Sequence, residues 1–214
     1  MKNIETIYLD LDGPLLNGKF RHHYCYSKIL NQHGFSGLEI EEYWNKKRAL
    51  IDRKALLSLS GCVHLYDEFL AEWLSVIETR EALSLDTLQL GALECLVSWV
   101  KAGKKIILVT LRSNKENTIF QLGALGLLDL LDDVLICDHS KGGLGKAEKV
   151  RDSCSKGLSL SKAIWVGDTE ADWQAAVELG LPVYLVENGL RDKTALEGLS
   201  GVQLIPSISA LTLV

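Results

Sequence analysis

At 214 residues, with 47% hydrophobic and 24% charged side chains, the chain has the composition of one globular domain, or of a domain carrying a smaller insert. Its formal charge of −5 and isoelectric point near 5.6 argue against a general nucleic-acid binder, whose footprint would be basic. No apolar run reaches the ~18 residues of a membrane helix, no secretory pattern opens the chain, and five scattered cysteines without a C-x-x-C pair read as reduced thiols of a cytoplasmic protein.

Taken in chain order, the first element is a strand. Thr6-Ile7-Tyr8-Leu9 is β-branched, aromatic and aliphatic, and it runs into Asp10-Leu11-Asp12 before Gly13-Pro14 breaks the pattern. Residues two apart in an extended chain point the same way, so Asp10 and Asp12 can converge at the strand's end. Two adjacent carboxylates repel unless a cation or a shared proton compensates, which points to a hard metal ion, acid/base chemistry or both. A calcium loop of the EF-hand type starting at Asp10 is excluded, because its sixth and twelfth positions hold Leu15 and Arg21 instead of Gly and Glu.

Residues 15–86 change character. Helix-compatible runs cover Arg21 to Asn31, Glu39 to Arg53 and His64 to Arg80, separated by turn signals at His33-Gly34 and Ser60-Gly61. This stretch is expected to be an α-helical insert.

From residue 87 helices and strands alternate. A helix is expected over Thr87 to Ala102, then a buried-type strand from Lys105 to Thr110, and a helix capped by Ser113 or Asn114 and running to Leu125. A strand over Asp133 to Cys137, a helix over Gly145 to Lys156 and a strand over Ala163 to Val166 follow, the last running into Gly167-Asp168. A helix from Ala171 to Leu179 and short strands at Val183 to Val186 and Val202 to Ile205 complete the pattern. Such alternation implies βαβ units, and hence an α/β fold around a parallel, Rossmann-like sheet. Open sheets of this kind bind ligands beyond the carboxyl ends of their strands. Asp10, Asp12, Thr110 and Asp168 all sit at such ends, and Lys146 lies at the start of the helix after the strand over Asp133 to Cys137.

The motifs D-L-D-G at 10–13, I-I-L-V-T ending at Thr110, G-K-A-E-K-V around Lys146 and G-D-T-E-A-D at 167–172 resemble, in order and spacing, the four motifs of the haloacid dehalogenase superfamily. The tail V-Y-L-V-E-N-G at 183–189 resembles its phosphoglycolate-phosphatase-like branch. The resemblance covers nearly all of the chain outside the helical insert. It departs at Pro14, where the family usually has Thr.

The resemblance implies a phosphatase acting on a small phosphorylated metabolite. Asp10 would be the nucleophile that forms an aspartyl-phosphate, and Asp12 the general acid and base. Mg²⁺ would be held by Asp10, the backbone carbonyl of Asp12 and Asp168, with Asp172 in support. Thr110 and the neighbouring amide of Leu111 would hold phosphoryl oxygens, and Lys146 would neutralise charge, with Lys141 the alternative. The 98 residues from Asp12 to Thr110 exceed the roughly 30 of one βαβ crossover. The surplus resembles a helical cap domain over 15–86, set in a core of 1–14 and 87–214. Alternatives are a phosphosugar mutase, a phosphonate hydrolase using a cap lysine such as Lys19 or Lys28, or a binding module with an impaired site. A monomer or homodimer without nucleic-acid or membrane partners is expected.

Within the insert, Arg21-His22-His23-Tyr24 reads as a polar helix start or a substrate contact. Lys46-Lys47-Arg48 with Arg53-Lys54 reads as an anion contact or a solvated face, and Glu42 four residues before Lys46 favours the solvated face. Trp44 and Trp73 read as packing residues.

Overall fold

The computed structural model describes residues 4–154 and 159–213. At its centre lies strand β1 (Thr6–Leu9), every residue of which is buried. It pairs in parallel with β4 (Lys105–Thr110) on one side and β6 (Ala163–Gly167) on the other. With β5 (Asp133–Ile136), β7 (Val183–Val186) and β8 (Val202–Ile205) they form a six-stranded parallel sheet in the order β5-β4-β1-β6-β7-β8.

The twofold alternation of these strands divides the core into two layers. Ile7, Leu9, Ile106, Leu108, Ile164 and Val166 face one way, against Leu96 and Trp99 of α6 (Ala92–Lys101) and Leu122 of α7 (Lys115–Ala124). Tyr8, Ile107, Val109 and Trp165 face the other, against Ala147 and Val150 of α8 (Gly142–Cys154) and Ala175 and Ala176 of α9 (Glu170–Leu179). Apolar residues on both faces are what a parallel sheet covered by helices on each side requires. The chain moves outward from β1 through β4 to β5 and then crosses to β6 on the opposite side of β1. That reversal opens a crevice at the carboxyl ends of β1 and its neighbours.

Between β1 and β4 the chain is helical: α1 (Lys19–Gln32), α2 (Ile40–Arg48), α3 (Arg53–Leu59), α4 (Tyr66–Val76) and α5 (Arg80–Leu83). These helices build a hydrophobic cluster of their own from residues such as Cys25, Tyr26, Tyr43, Leu57, Phe69 and Trp73. Trp44 and Trp73 are buried packing residues. The chain enters this stretch through β2 (Leu16–Asn17) and leaves it through β3 (Thr87–Leu88), which pair antiparallel.

Several boundaries differ from the sequence expectation. The run from Glu39 to Arg53 is two helices, because Leu50 adopts φ +62° and the Asp52 carboxylate accepts the amide of Ala55 at 2.8 Å, capping a new helix. The run from His64 to Arg80 divides in the same way, with Thr79 capping α5 through the Ala82 amide. Thr87 and Leu88 are strand, not helix. The amide of Gln89 donates to the Leu15 carbonyl at 2.8 Å and its side chain to that of Gly13 at 2.9 Å, so tertiary hydrogen bonds hold this stretch extended. The helix expected over Gly145 to Lys156 starts at Gly142, and its expected end at Lys156 lies outside the described residues. Among the described residues no helix is long and apolar enough to cross a membrane.

Candidate active site

Asp10 follows β1 directly, and its amide donates to the Val166 carbonyl at 2.9 Å, which ties it to β6 two residues before Asp168. Thr110 ends β4 and is 1% exposed, with Leu111 next. Because Leu9 is in register with Leu108, Asp10 and Thr110 leave the sheet at the same end. Lys146, projecting from α8, is 1% exposed. Its Nζ stands 2.9 Å from Asp10 Oδ1 and 2.6 Å from Asp172 Oδ1. The fold thus brings together residues more than 130 positions apart in sequence.

Asp10, Asp168 and Asp172 each offer an oxygen within 4.8 Å of the others, and all three are buried. Lys146 is the cation that pairs with this group. Burial, and then the charge of Asp172, push the Asp10 carboxyl up to about 7, although Lys146 pulls the other way. Burial, with Asp172 and Asp10 close by, pushes Asp168 well above the usual carboxylate range. Lys146 is held protonated by Asp10 and Asp172 against the opposing effect of burial. Three buried carboxylates against one ammonium leave a deficit of positive charge.

The oxygens are not equivalent. Asp172 Oδ1 accepts from Lys146 and from Trp165 Nε1 at 3.2 Å. Its Oδ2 accepts from the amides of Asp168 and Thr169 and from the Thr169 hydroxyl at 2.8 Å. Asp172 is therefore saturated by protein donors and serves to orient Lys146 and the loop carrying Asp168. Asp168 Oδ2 accepts the Leu190 amide, whereas its Oδ1 is buried without a hydrogen-bond partner among the described residues. An orphaned buried carboxylate oxygen, beside Asp10 in an all-oxygen set, fits a hard divalent cation. The loop after Asp12 is shaped around it. A Cβ at Gly13, whose φ is +103°, would lie 2.0 Å from Asp168 Oδ2. The same loop is closed by backbone bonds from Gly13 to Leu16 and from Leu16 to Leu11, so it does not depend on a hydroxyl at position 14.

Asp12 occupies a different environment. Arg112 donates to it from Nε at 2.7 Å and from Nη2 at 2.8 Å, and Arg21 Nη2 also donates to Oδ1. The same two arginines reach Asp86, with Arg21 Nε at 2.8 Å and Arg112 Nη2 at 3.4 Å from its oxygens. Gln121 Nε2 adds a bond to Asp86 at 2.9 Å. Burial alone would push the Asp12 carboxyl up, but the Arg112 and Arg21 guanidiniums hold it well below the usual range.

The sequence reading did not single out Arg112 or Asp86. It weighed Arg21 as a solvated helix residue or a substrate contact, whereas the guanidinium is 2% exposed and spent on Asp12 and Asp86. A charged residue directly after an apolar strand, as Arg112 is in I-I-L-V-T-L-R, was the available signal. His22 is buried between Trp44 and Trp73 at ring distances of 6.0 and 5.5 Å. Lys141, the alternative to Lys146, pairs with Glu148 at 2.7 Å on the surface. Lys19 and Lys28 pair with Glu41 and Glu81. Arg48 is not part of a solvated face. Its Nε donates to the Gly189 carbonyl at 3.0 Å and its Nη2 to that of Glu187, fastening α2 to the loop after β7.

Truncating either arginine leaves buried carboxylates without their partners. Arg21→Ala and Arg112→Ala are each expected to destabilise the fold by about 3–5 kcal/mol. Urea denaturation compared with the wild type measures this, and a loss below about 1 kcal/mol would show the cluster to be solvated and weak.

A model of the haloacid dehalogenase-like hydrolase family matches residues 4–180. Among curated proteins none matches the chain. Similar solved structures include a haloacid dehalogenase-like family hydrolase from Streptococcus pneumoniae, with TM-score 0.76 and 15% identity over 97% of this chain and 96% of that one. A predicted phosphatase from Clostridium acetobutylicum has TM-score 0.72 and 16% identity over 97% and 95% of the two chains. A predicted phosphoglycolate phosphatase from Haemophilus somnus has TM-score 0.74 and 17% identity over 98% and 96%.

Proposed function

This chain belongs to the haloacid dehalogenase-like hydrolases, and we propose that it is a Mg²⁺-dependent phosphatase of small phosphorylated metabolites, working through an aspartyl-phosphate on Asp10. The observation that carries this reading is the contrast between its two strand-end aspartates. Asp10 faces Lys146 and the carboxylate cluster, while Asp12, two residues on, is gripped by two guanidiniums. A nucleophile and a separate proton carrier need such different surroundings.

In this reading Asp10 attacks phosphorus and the substrate's alkoxide departs, taking its proton from Asp12. Water, deprotonated by Asp12, then cleaves the acyl phosphate and regenerates Asp10. Thr110, the Leu111 amide and Lys146 hold the phosphoryl oxygens. Asp10, Asp168 and the Asp12 backbone carbonyl would hold Mg²⁺, with Asp172 orienting from behind. When bound, the ion supplies positive charge between an anionic nucleophile and an anionic phosphate. In the conformation described, both Asp12 oxygens are taken by arginines and the carboxylate is ionised. A phosphate dianion entering beside it is a competing anion for those guanidiniums, and release of one restores the proton affinity of Asp12.

The helices over 15–86 form, in this reading, a cap domain on a core of 1–14 and 87–214, and the cap excludes water and selects the leaving group. Their separate hydrophobic cluster and the paired two-residue strands at entry and exit support it. The clamp on Asp12 favours a second reading, a phosphate-binding module whose acid/base group is stalled. Phosphate release measured over a panel of phosphorylated metabolites with Mg²⁺ separates the two. Multiple turnovers support the phosphatase, whereas one equivalent of phosphorylated Asp10 without further turnover supports the stalled module.

A further inference from the structure

Residues of α2, α3 and α4, the α2–α3 connection and Arg191 line a cavity of about 310 Å³. Its lining is unusual in charge. Lys47, Arg53 and Arg191 contribute three cations against a single carboxylate, Asp52, which is engaged in capping α3. Arg191 is paired with Glu170 at 2.8 Å. Lys47 and Arg53 have no acidic partner within ion-pair distance among the described residues. The lining also includes the buried aromatic residues Tyr43 and Trp73, and the Arg53 guanidinium lies over Trp73, 5.2 Å from the ring centre.

The cavity's position ties it to the catalytic groups. Lys47 neighbours Arg48, which fastens α2 to the loop over 187–191, and the Leu190 amide in that loop holds Asp168. Arg191 is the next residue and lines the cavity. On the other side, Trp73 packs on His22, whose neighbour Arg21 grips Asp12. Arg53 is exposed at the rim over Trp73, whereas Lys47 is half-buried, and a partly buried cation without an ion-pair partner is costly unless an anion joins it. Burial and the charges of Arg53 and Arg191 pull the Lys47 ammonium down to about 7, the effect that a bound anion would reverse.

We propose that this cavity receives the leaving group of the substrate, and that the leaving group carries a second anionic function on an aromatic or apolar body. The anion meets Lys47 and Arg53, and the body lies against Tyr43 and Trp73. This assignment rests on the phosphatase reading and adds the substrate class to it.

The test compares benzyl phosphate with 4-carboxybenzyl phosphate as substrates in the presence of Mg²⁺, for the wild type, Lys47→Met and Arg53→Gln. The wild type is expected to prefer the carboxylated ester in kcat/KM, mainly through KM, and each variant to lower that preference about tenfold. Calorimetric titration of 4-(hydroxymethyl)benzoate into wild type and variants reads the cavity without any turnover, and thermal unfolding shows that the variants are folded. Equal handling of both esters by the wild type, with no Lys47-dependent binding of the benzoate, overturns the proposed anion site. Lys47-dependent binding without turnover of either ester keeps the anion site and overturns the phosphatase reading instead.

Discussion

Asp10→Asn is expected to give a folded protein whose phosphate release is reduced on the order of 10⁴-fold or more, because removing a covalent nucleophile deletes the route itself. The fold should survive. Asn matches Asp in shape, and the substitution removes one of three mutually repelling buried carboxylates while Lys146 keeps Asp172. Asp12→Asn should also slow turnover severely, but for another reason. It leaves Asp10 able to accept phosphate while removing the group that handles protons, so phosphorylated enzyme should accumulate. Mass spectrometry of the intact protein after exposure to substrate distinguishes the two variants. Near-wild-type turnover by purified Asp10→Asn would sink the mechanism.

Chelation of divalent metal is expected to abolish turnover, and Mg²⁺ to restore it. Mn²⁺ should restore it in part, and Ca²⁺ or Zn²⁺ should substitute poorly, because Mg²⁺ itself prefers a small octahedral oxygen shell. Stability supplies an independent readout. Asp10, raised to about 7, and Asp168, raised well above the usual carboxylate range, bind protons more tightly in the folded chain than in the unfolded one. Their favourable contribution is present at low pH and is lost as pH rises through the folded values. Without metal, ionising them adds negative charge to a buried cluster, and a cation relieves it. The gain in Tm on adding Mg²⁺ should therefore be larger at about pH 8 than at about pH 5.5. Lys47, held down to about 7, changes stability with the opposite sign over this range. Comparing each pH with and without Mg²⁺ cancels that contribution. Full activity after exhaustive chelation, or a Tm gain independent of pH, would rule the metal assignment out.

Much of this architecture is written in short-range patterns. Thr6 to Leu9 and Lys105 to Thr110 are apolar runs bounded by breakers, and their alternation with helices dictates a parallel sheet. A parallel sheet then obliges Asp10, Thr110 and Asp168 to emerge at one end, so the sequence alone singles those residues out. Lys146 was named from the G-K-A-E-K-V motif at the head of its helix, but only the packing of α8 beside α9 shows that it reaches Asp10 and Asp172 together.

Other features depended on the tertiary structure alone. The helix expected over Thr87 to Ala102 lost its first residues to hydrogen bonds that Gln89 makes with a loop more than 70 positions away. The clamp on Asp12 joins residues 9 and 100 positions distant from it, and Asp86 lies 65 positions from Arg21. No periodicity records such pairings, because an arginine's chemistry is the same on a solvated helix and in a buried ion cluster. Burial alone decides which of the two it is. The same reason separates Lys46, paired along its own helix with Glu42 at 3.6 Å, from Lys47, one position on, which lines an aromatic cavity.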